Sequence, residues 1–145
     1  MSYYCYLSEI ELAYTAGIID GEGSIQIDRR SDKNFGATVT ISMKNPAVLV
    51  WVSDRYGGNI HRYKQSIGSF NKEGFMYRWG IHGLQAQEFI SAIRPYLVEK
   101  AMRADVLLSF PVGSQRGAEL DIQEAAYHTM KVLQDKPNRG NRRKP

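Results

Sequence analysis

The chain has 145 residues, 43% of them hydrophobic and 23% charged, with a formal net charge of +4. That length fits one domain with a real core and not two, and no run of about 18 apolar residues offers a membrane span. The N-terminus has no basic stretch ahead of an apolar one, so no signal peptide is expected. The single cysteine, Cys5, excludes an internal disulfide, fits a reducing compartment and is expected to be buried rather than reactive.

The first element opens at "LSEIEL". Ser8 can cap a helix, Glu11 falls three residues later to close a capping box, and Leu7 with Leu12 can form a hydrophobic staple. The helix is predicted to run to about Asp20 and to stop at "GEG", which places Glu22 between two glycines at a helix end. Ala13, Ala16 and Gly17 leave one of its faces almost without side chains. Such a face either admits another backbone at close range or fits a tight corner inside the monomer.

"SIQIDRR" and "GATVTISMK" then alternate apolar and polar residues with the period of a half-buried strand. "NPAVLVWVSDRYGG" reads as a helix, with Asn45 as cap, Pro46 in the first turn and Gly57 at the end. The pattern repeats. "NIHRYKQ" and "GFMYRWGIH" read as a second hairpin across the loop "SIGSFNKE", and "LQAQEFISAIRPYL" as a helix that Pro95 bends or ends. Further helices are predicted from about Lys100 to Phe110 and from Glu119 to Asp135, with "PVGSQRG" as a loop between them. The order predicts an α+β domain over residues 1–135, in which helices cover one face of a four-stranded antiparallel sheet. A basic tail of residues 136–145, "KPNRGNRRKP", follows and is expected to be disordered, as a solubilising end or part of a phosphate-binding surface.

With helices on one side, the other face of the sheet stays open. Alternation sends Ile25, Ile27, Val39 and Ile41 inward, with Met43 as a further candidate. It sends Ser24, Gln26, Asp28, Arg30, Thr38, Thr40 and Ser42 outward. In the second hairpin, Asn59, His61, Tyr63, Gln65, Met76 and Arg78 are outward if Ile60, Tyr77, Trp79 and Ile81 are inward. Gln, Arg, Asn, Thr and His donate to and accept from base edges in a major groove, although a solvated sheet face is polar too. Charge favours DNA. Residues 26–78 carry nine Lys or Arg against four acids, and the tail carries five basic residues and no acid. On this geometry Gln26 and Arg30 read bases, while Lys33 and Lys72 in loops meet phosphates.

"AGIIDGEGS", Ala16 to Ser24, resembles the motif of the LAGLIDADG homing endonucleases. "ISMKNPAVLVWVSDRYGGNI", "YRWGIHG" and "RPYLVEKAMRADVLL" follow in the order of that family's compact single-motif branch, so the resemblance covers about residues 8–110. Thr15 stands where the motif has a leading apolar residue, and Glu22 where it has its second Asp, which keeps the carboxylate. The strand-two position that holds a polar residue near the active site in many relatives falls here on Met43 or Lys44.

The resemblance implies an αββαββα fold and a homodimer, because the chain holds one motif and the family packs two motif helices across a two-fold axis. Ala13, Ala16 and Gly17 are then expected at the contact, with Asp20 capping or bridging at the helix pair. It also implies an active site at Glu22. A carboxylate at a helix C-terminus is poorly placed, and a second copy of Glu22 nearby adds repulsion. A divalent cation relieves both, with the Gly21 carbonyl as a further oxygen ligand. Mg²⁺ is the expected ion, or another divalent cation such as Mn²⁺. Lys100 matches the family's basic active-site residue and is expected to stabilise charge on the phosphate or to polarise water. The implied activity is metal-dependent cleavage of both strands of a long, nearly palindromic double-stranded DNA target, as in intron-encoded endonucleases. A DNA-binding protein without cleavage and an RNA-binding maturase acting on intron RNA are the alternatives. The expected location is intracellular, in a bacterial or phage-infected cytoplasm or an organelle.

Overall fold

The computed structural model of the protein describes residues 4–64, 74–113 and 118–134. Gln65, Lys72 and the tail 136–145, all assigned above to nucleic-acid contact or solvation, lie outside the described residues.

Helix α1 spans Glu9–Glu22, and its start follows the local signals. The Ser8 hydroxyl accepts from the Glu11 N–H at 3.2 Å, and the Glu11 carboxylate accepts from the Ser8 N–H at 3.0 Å. The helix continues two residues past the predicted end, so Glu22 is its last residue rather than part of a loop. Strands β1 (Gly23–Ser31) and β2 (Asn34–Met43), helix α2 (Ala47–Tyr56), strands β3 (Asn59–Lys64) and β4 (Phe75–His82) and helix α3 (Gly83–Ile93) follow. A short 3-10 turn at Arg94–Tyr96 holds Pro95, and α4 (Ala101–Ser109) and α5 (Ala118–Gln134) complete the described chain. Asn45 accepts from the Ala47 N–H at 2.9 Å, although Pro46, not Asn45, occupies the cap position itself. Gly57 and Gly58 both have positive φ, at 75° and 92°. Their two left-handed residues turn α2 directly into β3.

The sheet is antiparallel in the order β1-β2-β4-β3. Its inner face carries Ile25, Ile27, Val39, Ile41, Trp79 and Ile81, all buried against Ile19, Leu49, Phe89, Ile90 and Leu107 of the helices. Alternation thus produces the two-layer arrangement expected of an amphipathic sheet. Met43 packs partly buried against this core, paired with Tyr77, while Lys44 is exposed just beyond the strand. Of the two residues at the strand-two position, Lys44 is therefore the one open to solvent. Cys5 is exposed, contrary to the expectation of a buried thiol: it lies in the turn before α1, where its neighbour Tyr4 is the residue that packs into the core against Tyr56. No helix among the described residues is long and apolar enough to cross a membrane.

Candidate functional site

Register places the polar residues on one continuous surface. Ser24 pairs with Thr40, Gln26 with Thr38 and Asp28 with Gly36; across the next ladder Thr38 pairs with His82, Thr40 with Gly80 and Ser42 with Arg78. In the outer hairpin Asn59 pairs with Gly80, His61 with Arg78 and Tyr63 with Met76. Directly paired residues share a face, so these residues share the face opposite the core. Arg30 falls at a bulge between Arg29 and Ser31, yet its guanidinium lies over Gly36 and so over the same face. Lys33 is exposed at the tip of the β1–β2 hairpin.

The face has internal structure. Arg78 Nε donates to the Ser42 hydroxyl at 3.2 Å and stacks its guanidinium 4.9 Å from the Tyr63 ring centre. Gln26 Nε2 donates to the Ser24 hydroxyl at 2.5 Å. Thr38 donates to Asp28 at 2.5 Å and lies 3.4 Å from His82 Nδ1. Sequence reasoning missed His82. The signal is present in the sequence: His82 lies four positions after Arg78, on the same strand phase.

Glu22 sits at one end of this surface, two residues before Ser24. It is exposed, and none of the described hydrogen bonds or ion pairs engages its carboxylate. The two glycines beside it have different reasons. A Cβ at Gly23 would come 2.7 Å from Ile19 Cα, so glycine is needed there for the strand to leave against the helix's own last turn. A Cβ at Gly21 would meet nothing within 4 Å, which leaves open space beside Glu22.

Asp20 is the opposite case. Its two carboxylate oxygens accept from the backbone N–H groups of Val98 at 2.9 Å and Lys100 at 3.0 Å. Lys100 returns the contact: its ammonium donates to the carbonyls of Ile19 at 2.8 Å and Asp20 at 2.6 Å. The side chain is only 6% exposed. Asp20 thus caps the entry to α4, and Lys100 caps the exit of α1, where the helix's partial negative charge favours a cation. The clasp bears on two expectations. Asp20 caps an element of its own chain, and Lys100, whose ammonium also lies 3.8 Å from the Glu99 carboxylate, directs two of its three donors to the end of α1.

The small-residue face is also redrawn. Ala16 is fully buried inside the monomer, on the stripe with Thr15 and Ile19. The tight-corner reading therefore holds for Ala16, because its side of α1 is the one the core covers. Ala13, Gly17 and Gly21, spaced four apart, are exposed, and a Cβ at Gly17 would meet nothing within 4 Å. Thr15, which departs from the motif's apolar position, donates to the Glu11 carbonyl and makes a buried 2.8 Å hydrogen bond with the Tyr56 hydroxyl. That bond satisfies a hydroxyl which an apolar residue would leave unpaired. Burial raises the pKa of Tyr56, so the phenol stays neutral.

A metal can be judged against this donor set. Among the described residues no group of three or more His, Cys, Asp or Glu side chains could hold an ion. Asp20 is committed to Val98 and Lys100, so one chain offers the Glu22 carboxylate and neighbouring backbone oxygens. These are hard oxygen donors of the kind Mg²⁺ takes, but too few for a cage.

No protein-family model matches the sequence, and no curated protein is similar to it in sequence. Solved structures are similar in fold. The homing endonuclease I-CvuI, in complex with its target in the presence of calcium, aligns with a TM-score of 0.70 at 20% identity, over 90% of this chain and 85% of that one. The archaeal intron-encoded homing endonuclease I-Vdi141I, complexed with DNA, aligns at 0.65 with 17% identity, over 91% and 89% of the two chains. The LAGLIDADG meganuclease I-AabMI, bound to uncleaved DNA, aligns at 0.53 with 18% identity, over 81% of this chain and 48% of that one. The chain thus has the fold of the LAGLIDADG homing endonucleases.

Proposed function

We propose that the protein is a site-specific DNA endonuclease that works as a homodimer and cuts both strands of a long, nearly palindromic target. The observation that carries this reading is the junction at Gly23: an unengaged carboxylate ends α1 where a continuous, polar, hydrogen-bonding sheet face begins. A face of this kind follows a major groove, and a strand of about seven residues spans roughly 23 Å, enough for six or seven base pairs. Two such faces related by a two-fold axis would read two half-sites.

The exposed stripe of Ala13, Gly17 and Gly21 is the contact through which two copies of α1 would pack, flanked by Ile10, 82% exposed, and Tyr14, 51% exposed. It would bring two Glu22 carboxylates together and complete a ligand set that one chain lacks. A divalent cation bound there, Mg²⁺ or Mn²⁺, would supply an activated water and stabilise the departing 3′-oxygen. The chain's own residues do the rest. Glu22 binds the cation, Lys100 and Asp20 hold the helix end that aims Glu22, and the open sheet face positions the duplex. Lys33 and Lys44, both exposed, are placed to meet phosphates.

A cleavage selection tests this directly. Purified protein is incubated with a randomised double-stranded DNA library and Mg²⁺, and the cut ends are sequenced. The expected result is one family of long, pseudo-palindromic sites cut on both strands, with no cutting in chelator. Failure to enrich any sequence, with or without metal, would sink the reading.

A further inference from the structure

One cluster on the open face has a polarity that its own hydrogen bonds determine. Thr38 lies at the centre of the sheet, paired with Gln26 on one side and His82 on the other. It is only 5% exposed, on the face opposite the core. A threonine hydroxyl has one proton. Here it goes to Asp28 Oδ2, at 2.5 Å, since a carboxylate can only accept. Towards His82 Nδ1, 3.4 Å away, the Thr38 oxygen can therefore only accept. A hydrogen bond at that contact assigns the proton to Nδ1, which leaves Nε2 of the neutral imidazole as an acceptor. His82 itself is exposed.

We propose that His82 is a base-reading residue whose tautomer is set by Thr38 and Asp28, and that it selects a base presenting an amino group in the major groove. The inference rests on the DNA-binding reading above. An acceptor at Nε2 matches the exocyclic amino group of adenine or cytosine and repels the carbonyl oxygens of guanine and thymine. The second oxygen of Asp28 adds an acceptor on the same surface, so the cluster presents acceptors only. Arg78, by contrast, is turned away to Ser42 and the Tyr63 ring, and Arg30 lies over Gly36, so neither guanidinium is bonded into the cluster. Thr38 is a positioning residue in this scheme; His82 is the one that touches DNA.

The test uses the full-length protein and the site it selects, with binding measured on all single-base variants. His82→Ala should relax preference at one symmetric pair of positions by about tenfold, the lower end of what a good base contact supplies. At that pair, replacing adenine by purine, or cytosine by its analogue without the 4-amino group, should cost the wild type the same factor and cost His82→Ala nothing. Thr38→Val should reproduce the loss there and Thr38→Ser should restore it, a pattern that a merely structural role would not give. If Thr38→Val does not fold, the exposed His82 and the base analogues decide alone. An unchanged profile in His82→Ala, or a wild type indifferent to loss of the amino group, overturns the inference while leaving the DNA reading intact. A wild type that selects no DNA at all overturns both.

Discussion

The two sides of α1 are built from nearly the same small and apolar residues and have opposite fates. One stripe, Thr15, Ala16, Ile19 and Asp20, is engaged within the chain: Thr15 bonds Tyr56, Ala16 and Ile19 are fully buried, and Asp20 grips Val98 and Lys100. The other, Ala13, Gly17, Gly21 and Glu22, is exposed, and its two glycines have empty space where a side chain would start. The difference separates construction from use. The engaged stripe locks the helix to its own domain, and on the proposed function the open one serves a second molecule and the chemistry.

The two acids give the largest contrast to break. Glu22→Gln should reduce cleavage below detection while DNA binding stays within a few-fold, and the melting temperature in metal-free buffer should hold or rise, because a carboxylate leaves a helix C-terminus. Cutting at near the wild-type rate would remove Glu22 from the site. Asp20→Asn should do the reverse. It weakens two charge-assisted bonds and should destabilise the fold by about 1–3 kcal/mol in urea titration, with activity lost only in proportion to folded protein.

The small residues sharpen the comparison next. Gly17→Leu should leave the monomer fold and its circular dichroism intact, since the position is open, yet abolish dimerisation and double-strand cutting. Ala16→Leu should instead overpack the core at a cost of about 1–3 kcal/mol. Light scattering and thermal melts on both variants distinguish the two. A Gly17→Leu protein that dimerises normally would place the interface elsewhere.

Lys100→Met probes whether the clasp serves Glu22. Removing the ammonium leaves the Ile19 and Asp20 carbonyls without that donor, for a loss of about 1–3 kcal/mol. Stability and cleavage should fall together. A variant of wild-type stability with no cleavage would instead mean that Lys100 acts on the reacting phosphate.

The smallest effect belongs to the helix start. The Ser8 backbone N–H, and then Arg55, hold the Glu11 carboxyl below the ordinary glutamate range. A depressed folded pKa contributes stability that is present above the unfolded value, about 4.3, and is lost as pH falls through the folded one. Melting temperature should drop on acidification below about pH 4, and Glu11→Gln should flatten part of that drop.

Much of this was legible in one dimension. Ser8 and Glu11 cap α1 because a capping box is a contact three residues apart. The strands and their open face follow from alternation, which the ladders preserve from Ser24 across to Tyr63 because paired residues in antiparallel strands share a side. Glu22 stood out because a carboxylate at a helix end beside two glycines has no local reason to be there. The sequence by itself thus determined the elements, the polar face and the position of the unengaged acid. Tertiary structure decided which way each ambiguous residue turned. Ala13, Ala16 and Gly17 differ too little in size and hydropathy to reveal which side of a helix meets the core, and only packing buried Ala16. Asp20 and Lys100 are 80 residues apart, so no local pattern could show that each caps the other's helix. The His82 tautomer is subtler still: it depends on where a single threonine proton points, and that depends on Asp28 lying beside Thr38 on the neighbouring strand.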